Sequence, residues 1–203
     1  KGILGITSLL CLLPPIFSAA VYPSLPDQIA IHWNSAGAPD NFVHKAVAAF
    51  GIPIFFLIIN LISRISLLND PKSEGQPRVI KQLSICVIPA MSIVLVPVTL
   101  SMAMGAKIPI VMISTLLVGI LLIVIGNYLP KSRQNYTIGI KLPWTLHDAD
   151  NWNKTHRLAG YLWIIGGLLL IACNFLLPNT IAHLSVTVII VAVLVLIPML
   201  YSY

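Results

Sequence analysis

The chain has 203 residues, 58% of them hydrophobic and 9% charged, with a mean hydropathy of +0.94. Soluble domains carry about a quarter charged residues, so a water-solvated globule is excluded and the bilayer must be the solvent for most of this chain. The formal net charge of +6 does not point to nucleic acid, because in such a chain the placement of Lys and Arg matters more than their sum, and direct nucleic-acid binding is not expected.

Lys1, the apolar run from Ile3 to Phe17 and the small residues Ser18-Ala19-Ala20 have the outline of a secretory leader. We read the segment as a retained first span; Ser8-Leu9-Leu10-Cys11 lacks the small residue that precedes a lipoprotein cysteine. A hydrocarbon core about 30 Å thick takes about 20 apolar residues in helical form, since lipid offers no partner to free backbone groups. Six stretches meet that length: Gly2–Tyr22, Ala46–Leu68, Leu83–Met104, Ile108–Leu129, Leu158–Leu177 and Ile181–Tyr203. Pro23, Pro26 and Pro39 mark the first loop, and Asn69-Asp70-Pro71 with Pro77 marks the second. Met104–Lys107 and Pro178-Asn179 read as tight turns, with the long polar loop Pro130–Arg157 between them.

Cations sort to one side. Lys1, Arg64, Lys72, Arg78, Lys81, Lys131, Arg133, Lys141, Lys154 and Arg157 fall together, against Lys45 and Lys107 opposite. By the positive-inside rule both termini and the second and fourth loops are cytoplasmic, and Asp27–His44 faces outward. The expected fold is thus all-α: a multi-pass, polytopic integral membrane bundle of six transmembrane helices. It divides into residues 1–68, a helical hairpin with an outward-facing loop 23–45, and 69–203, a four-helix region with a cytoplasmic loop 130–157. No Asp, Glu, Lys or Arg falls near mid-span, which argues against ion coupling. Pro89 and Pro97 interrupt the third span, to be satisfied by neighbouring helices. Cys11, Cys86 and Cys173 lie in apolar runs without CxxC spacing, so no disulfide or thiolate metal site is expected.

In the outer loop, Ile29-Ala30-Ile31 reads as a short extended piece and Asn34–Gly37 as a turn, with Gly37 suited to positive φ. Trp33 suits a headgroup boundary. The loop is either a compact interfacial cap or a recognition surface for an external peptide, with His32, Trp33, Asn34 and Asp40 as the candidate ligand-binding residues. A metal site from His32, Asp40 and His44 matches no familiar ligand spacing, and no metal is assigned.

In the inner loop, Thr145 with Asp148 has capping-box form, so a helix is expected to start there and run into the fifth span. Trp152, His156, Ala159 or Gly160, and Trp163 would then share a face whose small residues allow close approach. The loop is either a basic interfacial segment pairing with anionic membrane lipids, with Trp144 and Trp152 as anchors, or a docking surface for a cytoplasmic protein. His147, Asp148, Asp150 and His156 make no HxxxH pair, and the loop has no serine elbow or phosphate cradle; no catalytic residue and no cofactor are expected. The sequons at Asn135 and Asn153 fall on the cytoplasmic side, so glycosylation is not expected.

Two residue patterns resemble the SdpI family of bacterial toxin-immunity membrane proteins. Leu25-Pro26, Ile31-His32-Trp33-Asn34, Gly37 and Pro39-Asp40 are similar to the short domain of unknown function that often precedes its signature. Gly126-Asn127, Pro130-Lys131, Asn135-Tyr136, Gly139-Ile140, Pro143-Trp144-Thr145-Leu146, Trp152, His156-Arg157 and Gly160 resemble the signature itself. The resemblance covers nearly the whole chain. It implies a non-enzymatic immunity protein against a secreted antimicrobial peptide toxin, acting also as a receptor that holds a cytoplasmic transcriptional repressor at the membrane. The candidate motif or partner-binding residues are then Asn127, Lys131, Asn135, Tyr136, Pro143, Trp144, Thr145, Trp152, His156 and Arg157. The competing reading is a small-molecule, lipid or peptide transporter or flippase, motivated by the prolines of the third span.

Overall fold

The computed structural model describes residues 7, 9–34, 37–177 and 180–203. Ser35 and Ala36 of the expected outer turn, the Pro178-Asn179 turn, and residues 1–6 and 8 of the first expected span lie outside them. The elements run α1 (Leu13–Val21), β1 (Gln28–Trp33), β2 (Pro39–His44), α2 (Ile52–Asn69), α3 (Arg78–Ala103), α4 (Ile110–Tyr128), a short α5 (Pro143–His147), α6 (Ala149–Leu176) and α7 (Thr180–Ser202).

Among the described residues, five stretches are long and apolar enough to cross a membrane: Val47–Asn69, Arg78–Ala103, Ile110–Lys131, Ala149–Leu176 and Ser185–Ser202. Their outer faces expose large apolar side chains such as Phe55, Ile62, Ile120, Leu168 and Phe175, the surface of a helix bundle solvated by lipid. The chain is a polytopic helical membrane protein. Of the expected first span, the described helical run breaks at Cys11–Leu12. Pro14 and Pro15 have no N–H to return to Leu10 and Cys11, so the helical ladder lapses just before α1.

The fold divides into two compact units, residues 1–65 with 85–110, and 66–84 with 111–203. In the first, β1 and β2 form an antiparallel hairpin within the otherwise helical fold. Pro39-Asp40-Asn41 has poor intrinsic strand propensity and acquires its extended form from pairing with β1. Ile29 is fully buried and clusters with Leu25, Ala48, Ala49, Val96 and Leu100, so one face of the hairpin is seated on helices. A π turn, Val47–Gly51, leads into α2; Pro53 cannot donate to Ala49, and the widened turn accommodates that loss. Inside α3, Pro89 likewise leaves the Ile85 carbonyl without its helical donor, and Asn60 of α2 donates its Nδ2–H to that oxygen at 2.9 Å.

In the second unit, α4 and α6 meet through paired glycines. A Cβ on Gly126 would lie 2.8 Å from the Gly160 carbonyl oxygen, and one on Gly119 would lie 2.9 Å from that of Gly167, so the backbones touch directly. Thr115 donates to Asn174 Oδ1 at 2.9 Å across the same seam. The proline device recurs in α7: Pro198 frees the Leu194 carbonyl, and the Trp163 indole N–H of α6 donates to it at 3.1 Å.

Candidate functional site

The densest polar structure lies in the second unit, where the 131–157 segment folds back on itself and on residues 70–76. Asn135, buried, sets the turn. Its Oδ1 accepts from the N–H groups of Thr137 (2.8 Å) and Ile138 (2.6 Å), and its Nδ2 donates to the carbonyls of Arg133 (2.8 Å) and Ile138 (2.9 Å). Both ends of one amide are therefore spent on shaping a single loop.

Gly139 follows with φ of 116°, a left-handed conformation that side chains resist. Glycine is required for space as well, because a Cβ there would overlap Nε2 of His156 and lie 2.9 Å from the Trp152 ring. The absent side chain lets the Ile140 N–H reach His156 Nε2 at 2.9 Å, while His156 Nδ1 lies 2.8 Å from the Trp152 carbonyl oxygen. The amide can only donate and the carbonyl only accept. Nε2 is therefore the acceptor and Nδ1 carries the hydrogen, which describes a neutral ring in one tautomer. The Trp152 and His156 rings stack with centroids 3.9 Å apart, and the Trp152 indole donates to the Ser132 carbonyl at 2.8 Å.

A second set of contacts ties this loop to residues 70–76. Asp70 accepts from Lys72 N–H at one carboxylate oxygen, and from Tyr136 N–H (2.9 Å) and the Thr137 hydroxyl (2.8 Å) at the other. Burial pushes the Asp70 carboxyl up, but the Thr137 hydroxyl and the backbone N–H groups of Lys72, Tyr136 and Thr137 outweigh it, holding the group below the usual carboxylate range. Gln76 brackets Arg133, donating to its carbonyl and accepting from its N–H at 3.1 Å. Gln134 accepts from Lys72 Nζ at 3.1 Å and donates to the Thr145 carbonyl at 2.9 Å.

The expected single helix from Thr145 is in fact two. Thr145 is the third residue of α5; its hydroxyl accepts from Leu142 N–H at 2.9 Å and donates to the Ile140 carbonyl at 2.8 Å. Asp148 turns extended and caps α6 instead, accepting from the N–H groups of Asp150 and Asn151. The Asp148 side chain is too short to reach back as the partner in a box, but suits an N-cap. Trp152 is also not the expected interfacial anchor, being fully buried. Trp144 is half-buried, donates to the Ser202 hydroxyl at 2.8 Å and packs edge-on against Tyr203. Asn151 Nδ2 donates to the Ser202 carbonyl at 2.7 Å, so the end of α7 is bound into the same assembly.

Apart from the half-buried Trp144, the expected inner residues separate into two groups. Asn135, Thr145, Trp152 and His156 are buried and organise the loop. Asn127, Lys131, Tyr136, Pro143 and Arg157 are exposed, with Lys131 Nζ over the Tyr128 ring at 4.6 Å and Lys72 Nζ over that of Tyr136 at 4.9 Å. Sequence reasoning missed Asp70, Gln76, Ser132, Gln134 and Ser202.

In the hairpin, register irregularities flank His32, which pairs with Asn41, while Trp33 pairs with Pro39. Bulging of this kind re-aims side chains, and His32 Nδ1 meets Asp40 Oδ1 at 2.6 Å on the exposed face. Asn34 Oδ1 accepts from Ala38 N–H at 3.1 Å, and Gly37 has φ of 76°, as the turn reading requires. Trp33 is half-buried. His44 stands apart from the His32–Asp40 pair, its Nδ1 accepting from Ala46 N–H at 3.2 Å. Among the described residues no three His, Cys, Asp or Glu side chains gather as a metal site. At the hairpin base, Lys45 pairs with Asp27 at 2.9 Å, and its hydrogen bond draws the Asp27 carboxyl below its ordinary range.

The fold and the clasped 131–157 segment define a multi-pass helical membrane protein with a built polar loop between two spans. Residues 131–202 match the model of the SdpI/YfhL protein family and residues 9–57 that of a domain of unknown function, DUF1648. Residues 131–202 are thus similar to the SdpI/YfhL protein family, with a stretch similar to DUF1648 on their N-terminal side. It is 28% identical over 178 residues to the immunity protein SdpI of Bacillus subtilis (strain 168), covering 88% of this chain and 84% of that protein. No solved structure matches.

Proposed function

We propose that this protein is a non-enzymatic immunity protein of the plasma membrane that protects its cell against a secreted antimicrobial peptide. The observation that carries the reading is the similarity to the immunity protein SdpI over most of both chains. In this reading six spans place both termini in the cytoplasm, with the β1–β2 hairpin outside and the 131–157 loop inside. The sorting of cations supports that orientation, and the two family matches fall on either side of the proposed division into residues 1–68 and 69–203.

His32, Trp33, Asn34 and Asp40 then form the outer recognition surface, with His32 and Asp40 presenting polar atoms and Asn34 holding the turn. On the inner side the exposed Lys131, Tyr136, Pro143 and Arg157 are the surface offered to a cytoplasmic repressor, shaped from beneath by Asn135, Thr145, Trp152 and His156. The test is expression in a peptide-sensitive cell challenged with a panel of secreted antimicrobial peptides. We expect survival with the wild-type chain and reduced survival with His32→Ala and Trp33→Ala. Unchanged killing across the panel, with the protein confirmed in the membrane, overturns the reading.

A transporter reading has one observation in its favour. Ser18 Oγ, Asn60 Oδ1 and Ser92 Oγ are buried without a hydrogen-bond partner among the described residues, as polar positions along a path between helices would be. Flux assays in proteoliposomes separate the two.

A further inference from the structure

A cavity of about 500 Å³ opens beside the start of α6 in the second unit. Lys154 and Arg157 line it together with Pro130, Leu158, Tyr161 and Tyr201. Lys154, Arg157, Leu158 and Tyr161 have the i, i+3, i+4 and i+7 spacing of one helix face. That face changes character along its length. The cations come first, then the continuous apolar run of α6 begins at Leu158.

Both cations are exposed, and among the described residues neither forms an ion pair with a carboxylate. Two uncompensated cations one helical turn apart hold a concentrated positive field at the level where a span leaves hydrocarbon. Such basic pockets between helices suit phosphate-bearing head groups. Tyr161 and Tyr201, both largely exposed, are the amphipathic rings favoured at that depth. The volume lies within the range of small-ligand sites, and the apolar wall continues where acyl chains would lie. Close packing shapes the floor: a Cβ on Gly160 would fall 2.6 Å from the Pro130 ring, so only a glycine lets Pro130 settle there.

We infer that this cavity is a specific site for an anionic phospholipid, its phosphate held by Lys154 and Arg157 and its upper acyl chains running along Leu158 and Tyr161. The inference rests on the membrane reading of α6 and not on the immunity reading, so failure of the killing assay leaves it standing.

The test is native mass spectrometry of the purified full chain with phosphatidylglycerol or phosphatidylcholine, comparing wild type with Lys154→Gln/Arg157→Gln. We expect phosphatidylglycerol adducts on the wild type and at least a tenfold loss in the double variant, with Lys141→Gln unchanged. The charge-preserving Lys154→Arg/Arg157→Lys variant should keep the adduct, which separates loss of charge from loss of fold. Equal retention of phosphatidylcholine, or full retention by the double glutamine variant, overturns the site. Displacement by millimolar inorganic phosphate as effective as by added phosphatidylglycerol overturns the lipid assignment in favour of a free-phosphate site.

Discussion

The space that a side chain on Gly139 would fill is occupied by Nε2 of His156. Two faults therefore coincide in Gly139→Ala: strain from φ of 116° and overlap with a buried ring. Gly105 offers the control, since its φ is 97° but nothing lies within 4 Å of a Cβ there. Strain alone costs about 1–2 kcal/mol, and overpacking adds about 1–3 kcal/mol. Thermal melts in detergent should rank Gly139→Ala well below Gly105→Ala, and limited proteolysis should open the 131–157 loop only in the former. Equal melting of the two variants contradicts the packing account.

Asp70 links stability to acid. Its folded carboxyl titrates below the ordinary range, so its contribution is complete above the unfolded value of about 3.9 and disappears as pH falls through the folded one. Asp70→Asn should destabilise by about 1–3 kcal/mol at neutral pH, because one oxygen that accepts becomes a nitrogen that donates. It should also flatten the dependence of melting temperature on pH below about 4, where the wild-type contribution is lost. A variant whose acid-side slope equals that of the wild type assigns the slope to other carboxyls.

Asn60 and Pro89 form a coupled pair through the Ile85 carbonyl. Asn60→Leu leaves that oxygen bare within a span, at a cost of about 1–3 kcal/mol. In a Pro89→Ala background the backbone N–H at position 89 returns, and the same Asn60→Leu change should cost about 1 kcal/mol less. A double-mutant cycle on steric-trap or detergent unfolding reads the coupling directly. Strict additivity counts against the substitution of side chain for backbone donor.

Trp144→Phe keeps an aromatic edge for Tyr203 and removes the donor to Ser202. The expected loss is about 0.5–1.5 kcal/mol, matched by Ser202→Ala and not doubled in the pair. Hydrogen exchange at the end of α7 should rise in each variant alike.

The sequence made some of this legible because the relevant signals are local. Trp152 and His156 lie four residues apart on a helix, so their shared buried face follows from period alone, as do the apolar runs of α2, α3 and α4. Gly37 announced its positive φ by its neighbours Asn34 and Pro39. Asp70 and Gln76 had no such signal. Their partners Tyr136 and Arg133 lie far along the chain, and each read locally as a loop polar residue next to a proline. The strand β2 was hidden for a related reason: its residues are extended by what they pair with rather than by their own preference. At Thr145 and Asp148 the pattern was seen but the roles were misassigned, because either residue can cap and only the extended backbone at Asp148 decides which does.

Pro89 of α3 and Pro198 of α7 do not leave loose joints. At Ile85 and Leu194 a neighbouring helix has plugged the gap in the backbone ladder, so flexing there means stripping an oxygen bare in oil. Each of these two helices is thus pinned at a point where it would otherwise yield, and bending it there first breaks a contact with its neighbour.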